Sequence, residues 1–185
     1  KIKLNAASGG GSVALEAPAS LSSDKIIKFP NSHGVIVQVK STTLNSAVSA
    51  SNSDVLTFTD ITGLSVDITP TSATNKMFIS YFINFGNDTS DRNALLRIVK
   101  DGSVITAANG ASGTTGNGSA YMKLLTTSFI VNHSNSYLDT AGGTSQITYK
   151  MQWSSEGSGI RYINRRGSGN QYGAISTMTV MEVAV

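Results

Sequence analysis

This sequence of 185 residues is notable first for what it has little of. It contains no cysteine, so a disulfide framework and a cysteine-bound metal are both excluded. Charged residues make up 14% of the chain, against roughly 25% in an ordinary soluble domain. No apolar run approaches the roughly 20 residues of a membrane-spanning helix, so no membrane insertion is expected.

The charges that are present are spread along the chain. The net charge is +3, and no block of Lys and Arg reaches the length of a nucleic-acid-binding tail. We therefore expect no nucleic-acid partner. Neutral polar side chains and 18 glycines replace the missing charge, a composition that favours exposed strands and turns over helices.

Apolar residues alternate with polar ones along much of the chain, which predicts a series of short strands. Asp101 and Gly102 lie between two apolar runs, so residues 93–108 are predicted to form a hairpin. About nine or ten strands at this spacing predict an all-β sandwich or barrel. The other predicted strands are 35–40, 53–61, 64–70, 75–86, 121–132, 144–155, 160–164 and 174–185, with a brief helix as an alternative at 121–125.

Large apolar side chains within these strands are the predicted core. On the strand 75–86 the candidates are Phe78, Tyr81 or Phe82, and Phe85, while Ile147, Tyr149 and Met151 share one face of another strand. Trp153 is interpreted as core rather than as a sugar-stacking surface. The last strand has apolar residues on both faces, which predicts that it is covered on both sides.

Residues 1–34 differ from the rest and are predicted to be a separate segment before a domain at 35–185. They hold two short alternating runs, one at Val13, Leu15 and Ala17 and one at Ile27 and Phe29. Two short strands cannot form a stable core alone. An intertwined oligomeric β stalk is the favoured interpretation, and a flexible linker is the alternative. The sequence does not begin with Met, so we expect it to be part of a longer chain.

The residues that could carry catalysis are few and scattered. There are three glutamates and two histidines, and the glycine-rich stretch 111–118 has no Lys at phosphate-binding spacing. The segment 87–93 lacks the glycine and the later Glu of a calcium loop. We expect no enzyme, no metal and no cofactor. Two carboxylates that meet in space as a glycosidase pair remain the alternative.

Arg165 and Arg166, with Arg161 nearby, are the most suggestive charged feature. Guanidinium groups could donate bidentate hydrogen bonds to an acidic glycan or to a lipopolysaccharide phosphate. A solvated hairpin tip or an ion pair with a neighbouring subunit is the competing interpretation. With the polar loops and one aromatic residue, the candidate receptor contacts are Asn87, Asp88, Arg92, Asn117, His133, Asn135, Arg161, Arg165, Arg166, Asn170 and Tyr172.

Two stretches carry a family resemblance. The sequence ASGGGSVALEAPASLSSDKIIKFPNSHGVIV, residues 7–37, resembles a segment of marine and cyanobacterial phage tail-fibre proteins. GIRYINRRGSGNQYGAISTMTVMEVAV, residues 159–185, resembles the C-terminal region of the same proteins. Residues 72–86 and 93–105 look like the middle strands of that family, so the resemblance covers most of the chain.

The resemblance implies a homotrimer with a short N-terminal β stalk and a jelly-roll β-sandwich head similar to the complement and tumour-necrosis-factor type. The final strand would lie near the threefold axis. Such a head would be the distal part of a virion tail fibre or spike, would adsorb to a bacterial surface glycan or lipopolysaccharide outside the host cell, and would join other tail proteins through its N-terminal side. The alternatives are a capsid-decorating or baseplate-joining structural protein, a polysaccharide depolymerase, and a secreted cellular jelly-roll module.

Overall fold

The computed structural model of the chain describes residues 2–5, 12–15, 34–51, 57–108, 110, 118–169 and 172–185. The chain divides into two compact units, Lys1–Asn31 and Ser32–Val185, close to the predicted boundary after residue 34. In the first unit, β1 (Ile2–Asn5) pairs antiparallel with β2 (Ser12–Leu15). β2 overlaps the predicted run at 13–17, β1 was not predicted, and the predicted strand at Ile27 and Phe29 lies outside the described residues.

The second unit is built from two antiparallel sheets. Its elements are β3 (Ile36–Leu44), β4 (Val48–Ser51), β5 (Thr59–Ile68), β6 (Lys76–Asn87), β7 (Arg92–Lys100), β8 (Ser103–Val104), a 3-10 turn (Thr106–Ala108), β9 (Ala120–Leu124), β10 (Val131–Thr140), β11 (Ile147–Ser155), β12 (Ile160–Ile163) and β13 (Ser176–Val183). Sheet I has the order β3-β13-β6-β12-β4, and β10 pairs with the other side of β6. Sheet II has the order β5-β11-β7-β8, and β9 also pairs with β7.

The chain crosses repeatedly between the two sheets, which makes the second unit a jelly-roll β-sandwich. Following the long strands, β3 lies in sheet I, β5 in sheet II, β6 in sheet I, β7 and β9 in sheet II, β10 in sheet I, β11 in sheet II and β13 in sheet I. The predicted all-β, jelly-roll class is confirmed. None of the residues described in the structure belongs to a helix long and apolar enough to span a membrane.

Strand β6 shows how side-chain alternation builds the core. Met77, Ile79, Tyr81, Ile83 and Phe85 are all buried on its inner face. The prediction of Tyr81 and Phe85 is therefore confirmed.

The neighbouring residues of β6 have the opposite orientation. Phe78 is half-buried and Phe82 is 40% exposed, because both lie on the outer face of the strand. The prediction of Phe78 as core is wrong within this chain, and of the two alternatives Tyr81 and Phe82 it is Tyr81 that is buried. The sequence is apolar on both faces here, so alternation alone does not identify the inner one.

Aromatic packing joins the two sheets. The ring of Phe85 in sheet I meets the ring of Trp153 in sheet II edge to face, with centroids 6.0 Å apart. Trp153 is buried, as are Ile147, Tyr149 and Met151, so these core predictions are confirmed. Edge-to-face aromatic pairs contribute about 1 kcal/mol beyond the burial of their area.

Two stretches differ from the predicted strand boundaries. Residues 53–61 and 64–70 were predicted as two strands, but a single strand, β5, covers residues 59–68 without a break, with a bulge where residues 61–64 face Met151. Residues 53–56 of the first predicted strand lie outside the described residues. Residues 121–132 were predicted as one strand, but β9 ends at Leu124 and a new strand, β10, begins at Val131. The polar residues 133–140 belong to this strand rather than to a loop, and residues 121–124 are not helical.

The hairpin at Asp101-Gly102 is confirmed. Asp101 and Gly102 have φ angles of 49° and 78°, and they connect β7 to β8. Two consecutive residues with positive φ match the twist of the flanking strands, and Asp and Gly tolerate this conformation best.

The last strand, β13, lies inside sheet I between β3 and β6. Ser176, Met178, Val180 and Glu182 are buried on its inner face, while the alternate residues are half-buried on the outer face. Within one chain only the inner face is covered by the second sheet. The predicted cover on both sides therefore depends on another molecule.

Glu182 is a carboxylate with no exposed surface at the end of β13. Its Oε1 accepts hydrogen bonds from the Thr71 amide and hydroxyl, both 2.7 Å, and from Asn75 Nδ2 at 2.6 Å. Its Oε2 accepts from Gln38 Nε2 at 2.6 Å. Burial raises the pKa of Glu182, but these hydrogen bonds outweigh burial and hold the pKa at about 2.

The depressed pKa of Glu182 gives a pH dependence with a definite sign. The charged form is stabilised in the folded chain, so its contribution is fully present above the usual Glu pKa of 4.5 and is lost as the pH falls from about 4.5 to about 2. The shift corresponds to about 3 kcal/mol. We expect Glu182→Gln to lower the free energy of unfolding at pH 7 by about 2 kcal/mol, because the new amide faces the donor Gln38.

Urea unfolding at pH 7 and at pH 3 measures this effect, with Glu156→Gln at an exposed position as the matched control. The difference between Glu182→Gln and the native chain should shrink at pH 3. Equal stabilities of the two variants at pH 7 would contradict the role given to Glu182.

Candidate functional site

The two ends of the sandwich are chemically different. At one end, called the entry end, the second unit begins and the chain finishes: Gly34 N donates to the Ala184 carbonyl at 2.7 Å, and Ala184 N donates to the Val35 carbonyl at 2.9 Å. Glu182 lies at this end. The opposite end, called the arginine end, includes the segments 88–91, 125–130, 156–159, 164–169 and 172–175, which lie between strands there.

At the arginine end, the Asp88 side chain links the turn at 88–91 to the start of strand β12. Its Oδ1 accepts from the Ile160 amide at 2.8 Å and from the Thr89 hydroxyl at 3.0 Å. Asn87 Oδ1 accepts from the Thr89 amide at 3.1 Å, an arrangement that Asx turns commonly use. Asp88 is half-buried and its carboxylate already stabilises the backbone, so it shapes this end rather than offering a free acceptor.

Arg165 and Arg166 stack on tyrosine rings. The guanidinium carbon of Arg165 lies 4.2 Å from the centroid of the Tyr162 ring, and that of Arg166 lies 4.7 Å from the Tyr172 ring. Arg165 Nε also donates to the carbonyl of Arg166 at 3.2 Å. Stacking fixes the planes of both guanidinium groups, and a fixed plane suits bidentate recognition of a carboxylate or phosphate.

Exposed apolar side chains adjoin these arginines. Tyr172 is 61% exposed, and Leu125 and Phe129 in the neighbouring loop are 67% and 57% exposed. The backbone links the two loops, since Ser168 N donates to the Thr127 carbonyl at 2.9 Å. An apolar patch beside cationic groups is typical of a recognition surface. The sequence analysis missed Leu125 and Phe129, although a turn-forming Thr-Thr-Ser stretch between them is a signal for exposure.

Arg161 points into the sandwich and is fully buried. Its guanidinium carbon lies 4.6 Å from the Trp153 ring, and Nη2 donates to the Thr59 hydroxyl at 2.8 Å, while Nε and Nη1 have no hydrogen-bond partner among the described residues. Burial lowers the pKa of Arg161 to about 10, so it stays charged at neutral pH. Arg161 and the equally buried Asn87 cannot touch a receptor as the chain is folded, which corrects the prediction for both.

The remaining candidates are distributed over the unit. Arg92 is half-buried and its guanidinium packs against Gly157 at the arginine end. His133 and Asn135 lie on β10, at the edge of sheet I and away from residues 164–169, which are called the arginine loop. Asn117 and Asn170 lie outside the described residues. Among the residues with a described position, no cluster of three His, Asp or Glu side chains could hold a metal ion.

Two glycines let the arginine loop lie directly on sheet I. A Cβ atom on Gly86 would overlap the carbonyl of Arg165, and one on Gly167 would overlap the carbonyl of Asn87. Backbone can therefore approach backbone at these two positions. The close approach places Arg165 against Tyr162.

Comparisons with known proteins assign no family to the chain. No protein-family model and no curated protein matches the chain. Two solved structures from infectious bursal disease virus, that of the Gx strain and that of the VP2 subviral particle, are similar at 14% identity, with TM-scores of 0.36 and 0.39. Each match covers 91% of this chain but only 41% and 42% of the other chain, and at these values it carries no argument about function.

We expect Gly86→Ala to displace the arginine loop, because the added methyl group would meet the carbonyl of Arg165. Overpacking of this kind costs about 1–3 kcal/mol. Thermal unfolding, compared with Gly143→Ala, measures the cost; a methyl group at Gly143 meets no atom within 4 Å. Equal melting temperatures for the two variants would show that the loop does not depend on this contact.

Proposed function

We propose that this chain is the distal part of a homotrimeric phage tail fibre or spike, a non-enzymatic virion protein that adsorbs to a bacterial surface glycan or lipopolysaccharide. The uncharged outer face of sheet I is the main observation that supports assembly into a homo-oligomer. The arginine end supports the binding function. The threefold symmetry and the virion setting rest on the sequence resemblance.

The outer face of sheet I carries rows of uncharged side chains that run across four strands. One row is wholly apolar and the next is wholly hydroxylated, and in neither is any residue charged. The apolar row is Val39, Met181, Phe78 and Leu138, and the hydroxyl row is Ser41, Thr179, Ser80 and Ser136. Val39 and Leu138, at the two ends of the apolar row, are 51% and 53% exposed.

The outer face of sheet II is different. Lys150 Nζ donates to Asp60 Oδ2 at 2.9 Å, Gln152 Nε2 donates to Asp60 Oδ1 at 2.7 Å, and Arg97 Nε donates to Gln152 Oε1 at 2.7 Å. Such a charged network suits a solvated surface. The contrast between the two faces supports burial of the sheet I face against other copies of the chain.

A trimer built on this face would explain why β13 is apolar on both sides. Met181 and Val183 lie half-buried on the outer face, in line with Phe78 and Lys76 of β6. Neighbouring copies would complete the cover that one chain lacks. Burial of this surface would contribute roughly 25 cal/mol for each Å² of apolar area removed from water.

The arginine end suits contact with a host surface. It is the end opposite to the one at which the second unit begins, so attachment to the virion through the N-terminal side would leave it facing outward. Its stacked guanidinium groups fit acidic sugars and phosphates. Three copies would bind together, so a weak single site would become strong by multivalency.

We expect Leu138→Asp to break the trimer, because it places a charge in the apolar row of sheet I. Light scattering should give three times 19.3 kDa for the native chain and the single mass for this variant. Tyr121→Asp is the matched control, since Tyr121 is equally exposed but lies on the outer face of sheet II. A native monomer, or dissociation by the control alone, would contradict the proposed interface.

We expect the double substitution Arg165→Gln with Arg166→Gln to reduce adsorption to host cells and to lipopolysaccharide at least tenfold, which corresponds to about 1.4 kcal/mol. Arg97→Gln is the matched control, because Arg97 also stacks on an aromatic ring, 4.0 Å from the centroid of Phe58, but lies on sheet II. Binding to immobilised lipopolysaccharide at two salt concentrations measures the effect.

Other outcomes of the binding experiment point to the competing functions. A native trimer that binds no bacterial surface would favour a capsid-decorating or baseplate-joining protein. Release of soluble glycan fragments would favour a depolymerase.

A further inference from the structure

A cavity of about 320 Å³ opens at the side of the sandwich, away from the arginine loop. One wall is apolar and consists of Ile98, Ala107 and Ala108. The rest of the lining includes the polar residues Ser119 and Asn135. At about 30 Å³ for each water molecule, the cavity has the size of a single small polar ligand, at the lower end of the range for ligand pockets.

The polar wall retains unused hydrogen-bonding capacity. Asn135 Nδ2 donates to the Ser119 carbonyl at 3.2 Å, which leaves its second N–H group, and the Ser119 hydroxyl donates to the Leu96 carbonyl at 3.1 Å, which leaves its acceptor lone pairs. A ligand hydroxyl, which both donates and accepts, would match this combination.

A buried hydroxyl lies beside this wall. Tyr81 is 3% exposed, and Ser119 and Asn135 lie within reach of its Oη, although neither contact has good hydrogen-bond geometry. Its ring stacks on that of His133, with centroids 5.8 Å apart. Buried polar groups are normally satisfied, so a ligand hydroxyl that reaches Ser119 and Asn135 could also hydrogen-bond to Tyr81.

Among the residues that the structure describes, no charged side chain lines the cavity. Burial raises the pKa of Tyr81 and lowers the pKa of His133, so both neighbours are uncharged at pH 7. The arginine end, by contrast, presents cations. The two surfaces therefore suit different parts of a glycan.

We propose that this cavity binds one neutral sugar unit of the host-surface glycan, an inference that rests on the proposed function. Sugar hydroxyls would pair with Asn135, Ser119 and Tyr81, and the less polar face of the ring would lie against Ala107 and Ala108. Ser136 belongs both to the cavity and to the hydroxyl row of sheet I, so the sugar would be bound beside the proposed interface.

Saturation-transfer NMR on the full chain tests this, with neutral hexoses, 6-deoxyhexoses and N-acetylhexosamines as probes and glucuronate as the charged comparison. At least one neutral sugar should give a saturable signal, and glucuronate should compete at least tenfold more weakly. Ala107→Phe, at an exposed position, should abolish the signal by filling the cavity. Asn135→Ala should weaken binding about tenfold, the equivalent of roughly 1.4 kcal/mol.

The matched control is Asn45→Ala, at an exposed position between β3 and β4, and it should leave sugar binding unchanged. The inference is overturned if no neutral sugar binds, if Asn45→Ala and Asn135→Ala act equally, or if Ala107→Phe disrupts the trimer, which would mean that another copy fills the cavity. Adsorption to host cells without sugar binding would refute this inference alone, whereas loss of both would refute the proposed function.

Discussion

The register of β6 is the constraint on which the rest of the molecule depends. This strand pairs with β13 and β12 on one side and with β10 on the other. A slip of one residue would exchange Ile79 and Tyr81 in the core for Ser80 and Phe82 outside it. The same slip would disturb every strand that pairs with β6.

Glu182 fixes this register at the entry end. It lies opposite Met77 of β6 and opposite Gln38 of β3, so its buried carboxylate can be satisfied only when all three strands are in register. The loop that carries Thr71 and Asn75 supplies the remaining donors. A buried carboxylate is costly without such partners, and it therefore specifies one arrangement rather than merely adding stability.

The two ends of the sandwich hold their charged side chains in different ways. At the entry end, every hydrogen bond of the Glu182 carboxylate comes from the same chain. At the arginine end, Arg165 and Arg166 lie on tyrosine rings, an arrangement that fixes the planes of both guanidinium groups. Glycines at 86 and 167 bring that loop onto the sheet.

The sequence predicts the fold class well because alternation, turn chemistry and the shortage of charge all agree. It predicts less well which face of a strand is buried. Phe78 was predicted to be in the core because β6 is apolar on both faces. An apolar outer face of this kind suits the proposed interface with other copies of the chain. Strand β10 was missed because its residues are polar and it lies at an edge.

The burial of charged residues was also difficult to predict from the sequence. Arg161 was predicted to contact a receptor, yet it lies two residues from the buried Ile163 and therefore on the same face of its strand. Glu182 likewise shares a strand face with the buried Met178 and Val180. Their position in the period-two pattern was the available signal. The assumption that every charged residue lies at the surface hides this period-two pattern.

The central claim, that the outer face of sheet I is covered by other copies of the chain, can be measured directly because the chain has no cysteine. Ser80 lies in the middle of the hydroxyl row of sheet I, and Ser65 lies on the outer face of sheet II. The rate of maleimide modification of Ser80→Cys, relative to Ser65→Cys, reports the exposure of the two faces. The account predicts strong protection at position 80 that is lost on dilution to the monomer, and equal rates at both positions in the concentrated protein would contradict it.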